Sequence, residues 1–100
     1  MTKYERHKQL CDKLNEIYIR KNRDYGDSFH LSYLEEGMAM PRIRLSDKLN
    51  RFKSLTKGDN QRLVKDETIV DTLIDLANYA LMTILEIEED QKKDGVTQSG

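Results

Sequence analysis

One cysteine, one proline and no tryptophan stand in a chain of 100 residues. A single thiol, Cys11, excludes an intrachain disulfide framework and suits a reducing compartment. Because Cys11 falls on the apolar side of a predicted first helix, it is expected as a core thiol and is given no chemistry. A surplus of one charge is also missing, since 17 basic residues face 18 acidic ones for a formal net charge of −1. With no strong global field and no basic stripe, nucleic acid and anionic membranes are disfavoured as partners, and any binding falls to local patches. No apolar run approaches the roughly 18 residues that span a bilayer, and the first residues carry no signal-peptide core. A soluble, cytoplasmic protein is expected. Convincing strands, repeats and low-complexity tracts are absent as well.

What the chain does contain is charge and helical periodicity. Hydrophobic residues make up 37% and charged residues 35%, which suits one domain whose core is marginal for a lone chain. Tyr4, Cys11, Leu14 and Tyr18, with Leu10 and Ile17 beside them, predict an amphipathic helix from residue 3 to about 21. Turn formers between Arg20 and Phe29 break the pattern. Residues 29–40 fit either a loop or a short helix around Leu31–Glu36 that Gly37 would end. Pro41 suits the first turn of a second helix with Leu45, Leu49 and Phe52 as its apolar edge, and Lys57-Gly58-Asp59-Asn60 would stop it. Asp66 is the candidate N-cap of the longest helix, which runs to about Lys92, and residues 94–100 read as a disordered tail. The expected fold class is all-α: a small bundle of three main helices plus a short fourth, in a single domain over residues 1–93.

The longest helix carries the most informative pattern. At 100° per residue, Glu67, Asp75 and Asn78 fall within about 40° of Asp71, so they share one stripe. Val70, Leu73, Ile74, Leu76, Ala77, Ala80, Leu81 and Ile84 cover much of the remaining circumference. Two other helices cover so wide an apolar surface poorly, and a homodimer or homotetramer is expected to complete the burial. Stacked carboxylates repel one another more strongly as water is withdrawn. Lys or Arg partners would neutralise them, and so would a divalent cation with oxygen ligands.

The second helix adds Asp47, Asn50, Arg51 and Ser54 on a polar face. Asp47 and Arg51 fit a surface ion pair. If the second and third helices face each other antiparallel, Asp47 and Asn50 would instead meet Asp71, Asp75 and Asn78 in a bundle-type metal site. Lys48, turned about 100° from Asp47, is expected in solvent. His7 and His30 show no ligand-like spacing and are expected to be non-catalytic.

Three blocks now combine: Lys21-Asn22-Arg23-Asp24-Tyr25-Gly26-Asp27-Ser28-Phe29, Ile43 to Leu55 around Asp47-Lys48-Leu49-Asn50-Arg51, and Asp71 to Ala80. Together they resemble the phage and bacterial nucleotide-modification-associated domain, which groups with the MazG-like all-α nucleotide pyrophosphatases. The resemblance implies Mg²⁺, or Mn²⁺ in its place, holding a canonical or modified nucleoside triphosphate while water cleaves between the α and β phosphates. It assigns catalysis to Asp47, Asp71 and Asp75, and the metal to Asp47, Asn50, Glu67, Asp71 and Asp75. Substrate contacts fall to Lys21, Arg23, Tyr25, Arg51 and Asn78, with Tyr25 placed to stack on a base. It also implies the cytoplasm of a bacterium or of a phage-infected host.

The chain departs from the superfamily pattern. Asp47-Lys48-Leu49-Asn50 carries an amide where an ExxE motif carries its second carboxylate, and Asp71 to Asp75 is stretched by one residue against ExxD. Three functions therefore follow in order: a Mg²⁺-dependent pyrophosphohydrolase, a non-catalytic nucleotide-binding protein of the same fold, and a helical protein-interaction module.

Overall fold

Thr2 opens the first helix with a reciprocal cap, its Oγ1 accepting from the Glu5 amide at 3.1 Å while its own amide donates to Glu5 Oε1 at 3.2 Å. The computed structural model describes residues 1–58 and 62–98, with side chains described for 1–58 and 67–93. Four helices follow one another: α1 (Lys3–Tyr25), α2 (Ser28–Glu36), α3 (Ala39–Thr56) and α4 (Arg62–Gln98). Among the described residues there is no strand, as the all-α expectation requires. The 37 residues of α4, at about 1.5 Å each, account for a long molecular axis of 57 Å.

Several boundaries move from their expected places. α1 runs on through Asn22-Arg23-Asp24 to Tyr25, because the left-handed conformation needed to stop it is first met at Gly26 and continues at Asp27. The ambiguous segment after Phe29 is helical, and Gly37 ends it as expected, its amide donating to the Tyr33 carbonyl at 2.8 Å. Pro41 sits in the first turn of α3, which stops at Thr56; Asp59 and Asn60 lie outside the described residues. Asp66 is no N-cap, since α4 is already helical from Arg62. At the other end α4 continues through Gln98, where an irregular tail from Asp94 was expected; Ser99 and Gly100 lie outside the described residues.

α3 and α4 form an antiparallel hairpin: Met40, early in α3, packs on Tyr79 and Met82, while Lys48, later in α3, meets Asp75, earlier in α4. Along α3 the less exposed residues are Met40 and Pro41, then Leu45, Lys48, Phe52 and Leu55 at the three- and four-residue spacing of a helix stripe. Leu49, expected on that edge, is exposed. Lys48, expected in solvent, therefore occupies the middle of the inward stripe. α2 lays Phe29 and Tyr33 against α4, and the Phe29 and Tyr79 rings stack with centroids 5.9 Å apart.

α4 is amphipathic in an inverted sense. Among its described residues Thr72, Asn78 and Glu86 are the buried polar ones, while Leu81 and Ile84 are each 49% exposed and Val70 and Leu73 are exposed with them. The inward polar groups are satisfied. Thr72 Oγ1 donates to the Thr68 carbonyl at 2.8 Å, and Asn78 Nδ2 donates to the Leu14 carbonyl of α1 at 3.1 Å. α1 itself contributes no buried residue, and Cys11 is exposed rather than in a core. Cys11 shares its stripe with Leu14 and Tyr18 but lies nearer the start of α1, and α1 meets the bundle further along, through Leu14, Ile17 and Tyr18.

By length and composition Glu67–Lys93 is apolar enough to cross a membrane, although Asp71 and Asp75 interrupt its apolar run. Its packed face nevertheless carries Asp75, Asn78 and Glu86, each bound to a partner on another helix. Soluble core helices pass the same test of length and composition.

Candidate functional site

The polar stripe of α4 looks into a cavity of about 270 Å³ lined by all four helices and open to solvent on one side. From α1 come Ile17, Tyr18, Lys21, Asn22 and Tyr25; from α2, Ser28, Phe29 and Ser32; from α3, Met40 and Arg44; from α4, Asp75, Asn78, Tyr79 and Met82. The arrangement has two parts. Phe29, Tyr79, Met40 and Met82 form an apolar floor, and Lys21, Arg44, Asn22 and Asp75 supply charge and amides around it.

Asp75 is the electrostatic centre. Lys48 Nζ donates to its Oδ2 at 2.9 Å, and Lys21 Nζ stands 3.5 Å from its Oδ1. Three helices thus converge on one half-buried carboxylate. Arg44 lines the same cavity, so its wall carries Lys21 and Arg44 against the one carboxylate of Asp75, and the local balance is positive although the chain as a whole is nearly neutral.

The expected site residues divide. Lys21, Tyr25, Asp75 and Asn78 are brought together at the cavity. Asp47, Asn50, Arg51, Glu67, Asp71 and Arg23 are exposed and do not line it. Glu67 and Asp71 part from Asp75 and Asn78 by position along α4, since α1 meets α4 at Asn78 and Asp75 and ends at Tyr25, leaving the earlier turns with Glu67 and Asp71 exposed. No three of Asp47, Glu67, Asp71 and Asp75 converge to ligand distance; among the described residues that convergence occurs at His30, Glu86 and Glu89. The oxygen donors assigned to Mg²⁺ do not form a cage within one chain, and the stripe is neutralised at Asp75 by lysines.

Arg44, Asn22, Ser28, Ser32 and Tyr79 belong to the cavity and were not anticipated. Arg44 shares a face of α3 with Lys48 four residues on, and it was missed for the same reason, because that face was expected in solvent.

A second cavity of about 330 Å³ adjoins the first, sharing Tyr18, Phe29 and Met82. Here His30 Nδ1 lies 2.7 Å from Glu86 Oε1, and Tyr33 Oη donates to Asp90 Oδ2 at 2.7 Å, so two polar links tie α2 to the later part of α4. The hydrogen bond to Glu86 raises the His30 pKa above its ordinary value, against the opposing effect of burial, with further support from the charges of Asp27 and Glu89. Burial raises the Tyr18 phenol, helped by the charges of Asp27 and Glu86.

Residues 21–87 match a family model described as nucleotide modification associated domain 1, a stretch that holds most of the first cavity's wall. No curated protein and no solved structure matches the chain.

Proposed function

Because the chain belongs to the nucleotide modification associated domain 1 family, we propose that its four-helix cavity binds a nucleotide. The observation that carries this reading is the cationic wall of one cavity, with Lys21 and Lys48 paired to Asp75 and Arg44 in the same lining, beside the Phe29–Tyr79 stack. An aromatic base suits the apolar floor and the rings of Tyr18 and Tyr25. Phosphates suit the cationic side, where Arg44 can bind two oxygens at once. At about 270 Å³ the cavity is close to the lower end of the roughly 300–1,000 Å³ usual for small-molecule sites, which favours enclosure of the nucleoside with the phosphates nearer solvent.

Two chemistries are compatible with that binding mode. Capture without hydrolysis is the better supported, since Asp75 is held by lysines and the other motif carboxylates are exposed. Mg²⁺-dependent pyrophosphohydrolysis is the second reading. It rests on the resemblance to MazG-like pyrophosphatases and on Asp75 facing the cavity, and it requires that a cation with one or two protein carboxylates draw Asp75 from its lysines. Chromatography of the nucleotide after incubation with the protein and Mg²⁺ separates the two. Intact ligand supports capture; a monophosphate with pyrophosphate supports the hydrolase.

The outward apolar face of α4 supports assembly as a homodimer or homotetramer, with Val70, Leu73, Leu81 and Ile84 at the contact.

A further inference from the structure

Outside the nucleotide cavity, α2 and α4 bring an imidazole and two carboxylates together. One ligand-capable atom from each of His30, Glu86 and Glu89 lies within 4.8 Å of the others. Glu86 and Glu89 are one turn apart on α4, and His30 comes from the facing helix, so the set spans an interhelical contact. Glu86 is buried, and among the described residues its polar partner is His30. Asp27 and Glu88 add negative charge to the same 330 Å³ cavity, against which Lys92 is the one lysine or arginine in its wall. A buried carboxylate so surrounded calls for a stronger cation than a shared proton.

We propose that His30, Glu86 and Glu89 form a three-ligand site for a divalent transition metal, Zn²⁺ foremost, with its fourth position open to this second cavity. Zn²⁺ takes imidazole nitrogen and carboxylate oxygen at about 2.0–2.2 Å, and three protein ligands with one open position are a recurrent arrangement. Ligand atoms around such a tetrahedral ion stand about 3.4 Å apart. His30 Nδ1 and Glu86 Oε1, now 2.7 Å apart, would separate slightly, and the exposed Glu89 would close in. The ion takes the place of the proton between His30 and Glu86 and releases it to solvent. Imidazole among the ligands selects Zn²⁺ over Mg²⁺, which prefers oxygen donors and its own waters. This site does not depend on the nucleotide reading, since its three ligands lie outside the first cavity.

The test titrates Zn²⁺ calorimetrically, and Co²⁺ by visible absorption, into the full chain carrying Cys11→Ser. That background removes a competing pair of zinc ligands, the exposed Cys11 Sγ and His7 Nδ1 at 3.8 Å. One-to-one binding is expected, with Co²⁺ ligand-field bands, and affinity falls roughly tenfold or more in Glu89→Gln and in His30→Gln. Glu89 is exposed, so its substitution leaves the packing in place. Glu16→Gln on the exposed side of α1 serves as control and binds as the parent does. Absence of Co²⁺ bands, or the same Zn²⁺ affinity in Glu89→Gln and His30→Gln as in the parent, overturns the proposal.

Discussion

Lys48 Nζ donates to Asp75 Oδ2 at 2.9 Å, and that contact joins α3 to α4 at the point where Lys21 of α1 reaches the other carboxylate oxygen at 3.5 Å. Lys48 and Asp75 are 26% and 29% exposed, so their attraction is less screened than that of a surface pair. Asp75→Asn and Lys48→Met should each destabilise the fold by about 1 kcal/mol. In a double-mutant cycle by denaturant unfolding, the pair should show a coupling of about 0.5–1 kcal/mol. Strict additivity of the two substitutions would mean that the contact contributes nothing.

His30 gives the fold a pH dependence of defined sign. Its pKa is raised in the folded state by the hydrogen bond to Glu86, so the folded protein holds the His30 proton at higher pH than the unfolded chain does. The stabilisation is fully present below the unfolded value of about 6.5 and is lost as pH rises through the raised folded value. Thermal melts from about pH 6 to 8.5 should therefore fall more steeply for the parent than for His30→Gln. Parallel curves would contradict the assignment.

Gly37 has φ +65° and ψ −151°, a combination that L-residues adopt only under strain. A Cβ there would meet no atom within 4 Å, so the cost of Gly37→Ala is purely conformational. Unfolding should show a loss of about 1–3 kcal/mol. An unchanged midpoint would indicate that the α2–α3 turn adopts another conformation.

The helices were legible where a local signal set their limits. Gly37 ends α2 and Pro41 starts α3 through their own backbone constraints. α1 and α4 outran their expected limits because Asn22, Asp24 and Asp66 weigh against a helix only by propensity, which neighbouring turns override. The site was legible only in part. The acidic stripe on α4 was visible in the periodicity, but which part of it is covered depends on where along α4 the other helices pack, here at Asn78 and Asp75. Lys48 was misread for the same reason, since its neighbours on the helix surface do not reveal which stripe of α3 meets α4. Cys11 shows the converse, an apolar-side residue left exposed where α1 has too little bundle to lie on. His30 had no local pattern at all, because its partners Glu86 and Glu89 lie more than fifty residues away.

The exposed apolar face of α4 predicts self-association. Light scattering should find a dimer or a larger assembly, and Leu81→Lys combined with Ile84→Lys, both at residues 49% exposed, should give a folded monomer. A monomeric parent would contradict this.

The central claim is that the cavity around Asp75 receives a nucleotide, and thermal shift across nucleoside triphosphates, monophosphates and cyclic nucleotides, with and without Mg²⁺, tests it most directly. At about a hundredfold excess over Kd, a true ligand stabilises by about 2.7 kcal/mol. At least one nucleotide is expected to do so, and Arg44→Met and Lys21→Met should reduce the shift while the unliganded melting temperature changes little. A panel with no shift for any nucleotide, or a shift that survives both substitutions, would contradict the account.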